Sequence, residues 1–341
     1  MNKGKILKIL VDAMGGDNAP DEIIKGCVEA LNEKNDFELV LYGIEHILRA
    51  KLLDYNYPEE RITIVNTTQV IQGHDLPIKA VKEKPDSSLV AALNDLRHKK
   101  GDALVSAGNT GAVMTGALLK LGRIKGVDRP ALTSLIPTKK SLKLLLDAGA
   151  NSVCKPVNLL DFAIMGSIYM EQLFAIKEPT VGLLNIGSEN TKGTDLMKAA
   201  YELLHNSKIN FIGNIEGKDI VSGNIDVIVT DGFTGNILLK FMEGVGEFIF
   251  SEISNIFRFS IFTKLSALVV KTSLRAFKKK LDYAEYGGVP LLGVNGKVLK
   301  AHGNSNSKAI KNLIFNSCRY ARSSVLQIIK SKYEEMEEYY N

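Results

Sequence analysis

Short apolar runs rich in Val, Ile and Leu alternate with amphipathic stretches along most of this chain. Each run stops at a cluster of Gly, Asn, Asp or Thr. No other feature constrains the fold as tightly. Strands this apolar must be covered on both faces, and the intervening helices are what cover them. Strands are expected at 6–12, 37–43, 61–66, 102–107, 180–186, 210–215 and 226–231, and another at 297–301. Helices are expected at 20–34, 78–99, 110–122, 156–177, 191–206 and most of 305–337. The pattern predicts an α/β fold built on a doubly wound, mostly parallel sheet. Residues 131–137 and 142–147 are separated only by Thr138-Lys139-Lys140-Ser141 and read as a β-hairpin, an arm or the edge of a second lobe. Two intimately packed lobes within one domain over 1–341 are therefore expected.

The 341 residues are 45% hydrophobic and 24% charged, enough to build a real core. A net charge of only +5 gives no reason to expect a nucleic-acid partner. Cys27, Cys154 and Cys318 are odd in number and lack a CxxC pair, which argues against a disulfide framework or zinc site and fits a reducing cytosol. The five histidines form no HxxxH or HxH pair, so no metal site is expected. Met1-Asn2-Lys3-Gly4-Lys5 leads into a strand without the apolar core of a signal peptide, and no run of about 18 apolar residues is present to span a membrane.

The first strand ends in Asp12-Ala13-Met14-Gly15-Gly16-Asp17-Asn18-Ala19-Pro20. Asp17 or Asn18 can cap the helix that follows, with Pro20 in its first turn. Such a junction gathers a carboxylate, bare N–H groups and a positive helix end, which suits an anion. Polar residues also gather at Ser106-Ala107-Gly108-Asn109-Thr110-Gly111, at Asn185–Glu189, at Thr230–Asn236 and at His302-Gly303-Asn304-Ser305. In an open α/β sheet these loops would share the rim at the carboxyl ends of the strands, where ligands bind.

The chemistry open to such a rim is limited. GxSxG, GxxxxGK[ST] and GxGxxG are all absent, which disfavours a serine hydrolase, a P-loop kinase and a classical dinucleotide enzyme. Amides of Gly108–Gly111 at a helix N-terminus can cradle phosphate. Asn109, Asn185 and Asn236 can donate to an oxyanion, or serve only as caps and Asx-turns. Lys192 is placed near a helix start, where a cation opposes the dipole, and this favours an anion-binding role. Lys79, Lys82 and Lys84 fit a solvated helix face, and His302 fits a structural hydrogen bond as well as an acid–base role.

Between Ile253 and Leu281 the chain has seven Lys or Arg and no Asp or Glu. Lys264, Lys271, Arg275 and Lys278, spaced 7, 4 and 3, form one stripe beside Phe262, Leu265, Leu268, Val269, Leu274 and Phe277. Segment 248–281 thus reads as an amphipathic basic helix or hairpin. Its occupant is either an anionic membrane surface or a dimer or core contact.

DAMGGDNAP (12–20), SAGNTGA (106–112), GVDRPAL (126–132), LDAGAN (146–151), LLNIGSENTKG (183–193), GNIEGKDI (213–220), TDGFTGNILLK (230–240), YGGVPLLGVNG (286–296) and HGNSNSKA (302–309) follow one another in this order. Together, over about residues 6–325, they closely resemble the bacterial acyl-ACP:phosphate acyltransferase family of phospholipid synthesis. The resemblance implies reversible transfer of a long-chain fatty acyl group from acyl carrier protein to inorganic phosphate. No cofactor is needed, because phosphate is itself the nucleophile. It further implies a two-lobed fold similar to phosphotransacetylases and isopropylmalate dehydrogenases, a homodimer, and cytoplasmic enzyme held peripherally on the membrane. There a membrane glycerol-3-phosphate acyltransferase would use the acyl phosphate to make phosphatidic acid. On this basis Asp12, Gly15, Gly16, Gly108, Asn109, Thr110, Gly111 and Lys82 are expected to bind phosphate or substrate. Lys192, Asn185, Asn236, His302 and Asp231 are expected to carry the chemistry. Lys82 stands where relatives are expected to have arginine, which keeps the charge and loses the bidentate fork. Arg123, Lys125 and Arg129, or Lys139, Lys140 and Lys143, are candidate docking patches for the acidic carrier protein. A decarboxylating dehydrogenase and a catalytically silent membrane scaffold are the alternatives from other classes.

Overall fold

The run Leu7–Asp12 becomes the strand on which half of the sheet is assembled. Leu7, Ile9 and Val11 pack on one face with Cys27, Leu31 and Ile310, while Leu10 packs on the other with Val90, Leu93 and Ala112. Successive side chains point to opposite faces of a strand, so the unbroken apolar run Ile9–Val11 requires helices on both. The computed structural model describes residues 6–281 and 283–340. Its strands are β1 (Leu7–Asp12), β2 (Phe37–Gly43), β3 (Ile62–Asn66), β4 (Ala103–Ser106), β5 (Ala131–Pro137), β6 (Leu142–Leu146), β7 (Val181–Leu184), β8 (Phe211–Ile215), β9 (Val227–Val229), β10 (Val289–Leu292) and β11 (Val298–Lys300). Its helices are α1 (Asp21–Glu33), α2 (Glu45–Leu52), α3 (Pro77–Glu83), α4 (Ser88–Arg97), α5 (Thr110–Lys120), α6 (Pro156–Phe174), α7 (Asp195–His205), α8 (Gly217–Ile220), α9 (Gly232–Arg258), α10 (Ile261–Leu281), α11 (Ser307–Arg322) and α12 (Val325–Tyr340).

All eleven strands form one sheet in the order β3-β2-β1-β4-β11-β10-β5-β6-β9-β7-β8. Pairing is parallel within β3-β2-β1-β4-β11 and within β6-β9-β7-β8, and antiparallel at β11-β10, β10-β5 and β5-β6. The expected hairpin, β5-β6, is built into the middle of the sheet, where it joins the two parallel halves. The three reversals make β6, β9 and β7 run opposite to β1 and β4, so the polar loops do not lie along one straight rim. Twist brings them together instead. Adjacent strands rotate by roughly 20–25°, so the five steps from β4 to β9 accumulate roughly 100–125°. The carboxyl ends of the two halves are thereby swung toward one another.

Several boundaries differ from expectation for local reasons. The helix expected over 78–99 is two, α3 and α4, because Pro85 lacks an N–H and disfavours helix at Lys84. The stretch expected over 305–337 breaks after α11, where Ser323 is extended with φ −75° and ψ 158°. β10 escapes the periodicity because only four residues, Val289-Pro290-Leu291-Leu292, stand between glycines. Segment 248–281 lies in two helices. Ser260 and Thr263 cap the second reciprocally: Ser260 N donates to Thr263 Oγ1 at 2.9 Å and Thr263 N to Ser260 Oγ at 3.2 Å. α10 then packs on α9, with the Phe250 and Phe277 rings 5.4 Å apart. No helix among the described residues is long and apolar enough to cross a membrane.

Candidate active site

Asp12, the last residue of β1, is 2% exposed. Ser88 Oγ, at the start of α4, donates to its Oδ1 at 2.5 Å, and Ser106 Oγ, at the end of β4, to its Oδ2 at 2.6 Å. Gly108 N in turn donates to Ser106 Oγ at 3.0 Å. Burial pushes the Asp12 carboxyl above its ordinary range, against the pull of the two hydroxyls. Gly15 is required here because a Cβ would stand 2.2 Å from Asp12 Oδ2. Gly16 adopts φ +123°, and Asp17 N donates to Gly303 O at 2.7 Å, which ties the loop after β1 to the one after β11. Neither Asp17 nor Asn18 caps α1. Pro20 takes the cap position, and Asn18 Nδ2 donates to Asn304 O at 3.2 Å.

The Gly108–Gly111 loop opens α5 as expected. Asn109 Oδ1 accepts from Ala112 N at 3.0 Å, and Asn109 Nδ2 donates to Gly73 O at 2.8 Å, so this amide caps the helix and pins the loop before α3. Gly111 lets Pro77 pack directly on the helix start, since a Cβ would lie 2.5 Å from Pro77 Cγ. Thr110, the first helical residue, lines a small cavity with Met114, Leu132, Ala150, Leu291 and Lys300. Lys300 was not foreseen. It is 7% exposed, its Nζ donates to the carbonyl of Ala301, and burial lowers its ammonium to about 8 while Asp12 and Asp17 pull it up.

The second half of the sheet meets this cavity through Ala150. The loop after β6 is wound around the fully buried Asp147. Its carboxylate accepts from Leu132 N at 3.1 Å, Gly149 N at 3.2 Å, Ala150 N at 3.0 Å, Asn151 N at 2.7 Å and Asn151 Nδ2 at 2.8 Å. Burial nevertheless raises the Asp147 carboxyl. Gly232 N donates to Asn151 O at 2.8 Å, and Asp231 caps α9 by accepting from Thr234 N at 2.9 Å. Asn236 is exposed one turn later, facing Gly149, whose built Cβ would be 3.3 Å from it. α9 then carries Lys240 and Glu243 to the first half. Glu243 Oε1 lies 3.4 Å from His302 Nε2, and Glu243 Oε2 lies 2.7 Å from Lys240 Nζ. Burial lowers the His302 imidazolium, which Glu243 opposes.

Three expected residues stand apart from these contacts. Asn185 is engaged within its own loop, accepting from Ile186 N at 2.8 Å and donating to Lys192 O at 3.2 Å. Lys192 is exposed and precedes α7, which begins at Asp195 behind a Thr194 cap. Lys82 is exposed on the last turn of α3. Of the docking patches, Lys143 is buried in an ion pair with Asp226 at 2.7 Å, whereas Arg123, Lys125 and Arg129 are exposed.

The motifs that bound this cleft span nearly the whole chain, and so does the family match. The family model described as "Fatty acid synthesis protein" matches residues 7–328. This chain belongs to that family. It is 50% identical over 329 residues to the phosphate acyltransferase of Acetivibrio thermocellus, covering 96% of this chain and 97% of that one. To the phosphate acyltransferase of Alkaliphilus oremlandii it is 49% identical over 323 residues, covering 95% and 96%. It is an acyltransferase, and these relatives lend the dehydrogenase alternative no support. Among solved structures, a phosphotransacetylase from Streptococcus pyogenes superposes with a TM-score of 0.64 at 16% identity, over 93% of this chain and 94% of that one. The EutD phosphotransacetylase from Staphylococcus aureus gives 0.61 at 16% identity, over 93% and 95%. At that identity the likeness is one of fold.

Proposed function

We propose that this member of the fatty acid synthesis family transfers a long-chain acyl group from acyl carrier protein to inorganic phosphate, reversibly, supplying acyl phosphate for phosphatidic acid synthesis. The observation that carries the reading is the near full-length identity to phosphate acyltransferases, in a fold that brings the start of α5 and the Asp147 loop to one small, mostly apolar cavity. The start of α5 offers backbone amide donors to an anion, and apolar side chains line the cavity beside it. The near full-length identity to phosphate acyltransferases supports the acceptor.

Phosphate is anionic at neutral pH, so its oxygen attacks the thioester carbonyl directly. The new O–C bond forms as the C–S bond breaks, and the thiolate leaves and takes up a proton. Burial pushes the Cys27 and Cys318 thiols up to about 12 and Cys154 to about 11, which fits a mechanism without a protein thiolate. The Gly108–Gly111 amides hold phosphate. Asn236 faces the oxyanion that forms on the carbonyl carbon, and Lys192, on the loop after the neighbouring strand β7, adds positive charge for the phosphate. Asp12, Gly15, Gly16, Asp231 and His302 shape the cleft, with Lys82 at its outer edge.

The acidic carrier protein docks on Arg123, Lys125 and Arg129. Phe262 at 83% and Val269 at 85% exposure, beside exposed Lys264, Lys271 and Arg275, fit an anionic membrane surface. There the enzyme, a cytoplasmic homodimer, would meet the glycerol-3-phosphate acyltransferase. Acyl-phosphate formation from acyl carrier protein and phosphate, assayed with Lys192→Ala and Asn236→Ala, tests the chemistry. Losing one oxyanion donor should cost on the order of 10²–10³ in rate, and near wild-type kcat/KM in both variants would remove these residues from the mechanism. Flotation with anionic vesicles tests the surface: binding unchanged by Phe262→Glu with Val269→Glu would rule it out.

A further inference from the structure

His302 lies where the two halves of the sheet meet across the cleft. It follows β11, which pairs in parallel with β4 in the register Lys300↔Ser106, and Ala301 N donates to Ser106 O at 3.0 Å. Two residues beyond that register, His302 leaves its strand end beside Gly108, where the loop that opens α5 begins. Neighbouring strands are about 4.8 Å apart, so the imidazole and the α5 amides belong to adjacent strand ends. From the other half of the sheet α9 reaches the same point, with Glu243 Oε1 3.4 Å from His302 Nε2. Lys240 takes the other oxygen, Oε2, at 2.7 Å and leaves Oε1 to the imidazole. Asn236 lies two turns earlier on α9, about 10 Å along the helix axis. The side chains of His302 and Glu243 are 36% and 25% exposed, so the pair opens on the cleft and is not a core contact.

The proposed reaction requires a proton to be moved. Written for hydrogenphosphate, an acyl thioester gives acyl phosphate and thiol: the O–C bond forms, the C–S bond breaks, and the P–OH proton ends on sulfur. We propose that His302 carries that proton, taking it from the attacking phosphate and giving it to the departing sulfur, and that Glu243 is the positioning residue that aims the imidazole and stabilises its transient positive charge. The assignment rests on the function proposed above and adds a proton path to it. A carboxylate behind an imidazole fixes the orientation of the ring and favours the imidazolium that forms during transfer. The ring enters and leaves each turnover neutral, and in the reverse direction it takes the proton of the thiol. Burial lowers the imidazolium below its ordinary 6.5, Glu243 opposes this, and Lys240 from α9 and Lys300 from β11 add to it. Asp17, from the loop after β1, also faces this loop, its Oδ2 3.0 Å from a Cβ built on Gly303. A ring neutral at pH 7 can accept the phosphate proton, and activity falls as pH drops through its titration.

The test compares wild type with His302→Gln, Glu243→Gln and Glu243→Asp in acyl-phosphate formation from acyl carrier protein and phosphate, with thermal melts to show that each is folded. His302→Gln should lower kcat on the order of 10²–10⁴-fold, the contribution of a positioned acid–base group, and leave KM for both substrates nearly unchanged. Glu243→Gln keeps the shape of the side chain and should lower kcat roughly 10–100-fold, the value of a hydrogen bond to a charged group. Glu243→Asp should recover part of that loss. A purely structural Glu243 would not move the titration of the ring. In Glu243→Gln the acid limb of kcat and the His302 resonance in an NMR titration should both shift to lower pH, because the amide no longer favours the imidazolium. That resonance is the one of five histidine signals that His302→Gln lacks. Wild-type kcat in His302→Gln, or an unmoved acid limb and resonance in Glu243→Gln, overturns the assignment. If wild type forms no acyl phosphate, the proposed function falls and the proton path with it. If wild type and His302→Gln form it equally fast, only the proton path falls.

Discussion

Replacing Gly235 and Gly244 by alanine, one at a time, should change stability in opposite directions although both lie in α9. At Gly235 a Cβ would stand 1.9 Å from the backbone oxygen of Asp147 and 3.0 Å from Thr230 Cγ2. The first of these contacts is backbone against backbone, so no rotamer can relieve it. The start of α9 would have to back away by more than 1 Å, against the pull of the Asp231–Thr234 cap and of Gly232 N on Asn151 O. Overpacking of this kind costs about 1–3 kcal/mol, and a lost cap adds about 1 kcal/mol. At Gly244 nothing lies within 4 Å, so alanine there gains about 0.5–1 kcal/mol from helix propensity and a less flexible unfolded chain.

For 341 residues the unfolding entropy is about 0.7 kcal/mol/K. Gly235→Ala should therefore lower Tm by roughly 3–6 °C and Gly244→Ala raise it by roughly 1 °C. Calorimetry on each variant reads the melts, and acyl-phosphate formation reads the cleft. Gly235→Ala should also lose activity, because the displaced turn carries Asn236. Equal melting temperatures, or a stable Gly235→Ala with full activity, would refute the claim that α9 is seated on the Asp147 loop.

Asp12→Asn should stabilise the fold at pH 7 while lowering activity. The folded carboxyl is raised above its ordinary 3.8, so the stability it contributes is full below that pH and is lost as pH rises through the folded value. The Tm difference from wild type should thus be larger at pH 7 than at pH 4, and the opposite trend would count against a buried carboxylate under strain of desolvation. Gly15→Ala should displace that carboxylate and cost about 1–3 kcal/mol, with hydroxyl contacts to Ser88 and Ser106 lost in a crystal structure of the variant. Iodoacetamide at pH 7 should leave acyl transfer intact, since all three thiols are raised by burial; rapid inactivation would restore a cysteine to the mechanism.

The strand–loop–helix junctions were legible because they are local: an apolar run, a glycine and a cap fall within ten residues of each other. The direction of each half of the sheet was not. It is set by β10, a four-residue strand containing Pro290, and by the β5-β6 hairpin. A proline ordinarily argues against a strand inside a sheet. Here Pro290 pairs with Leu299 and its carbonyl accepts from Thr133 Oγ1 at 2.9 Å, a contact between residues 157 positions apart. Lys300 was hidden for the same reason. Nothing in Val298-Leu299-Lys300 distinguishes a solvated lysine from a buried one until α9 and the loop after β1 arrive over it.

Asn109, Asn185 and Asn236 look alike in the sequence, each beside a glycine soon after a strand. What separates them is hydrogen-bond accounting. Asn109 is spent on Ala112 and Gly73, and Asn185 on Ile186 and Lys192. Asp12 and Asp147 are spent too, the first between two hydroxyls and the second among four backbone amides and a side-chain amide. A group whose bonds are already satisfied inside the fold gains nothing further from a ligand, and breaking those bonds to reach one would cost what the new bond returns. Such residues hold the loops in place. The first amides of α5 and the exposed Asn236 side chain are not spent in this way. On the proposed function, the first half of the sheet would present amides to the nucleophile, and the second an amide to the carbonyl it attacks.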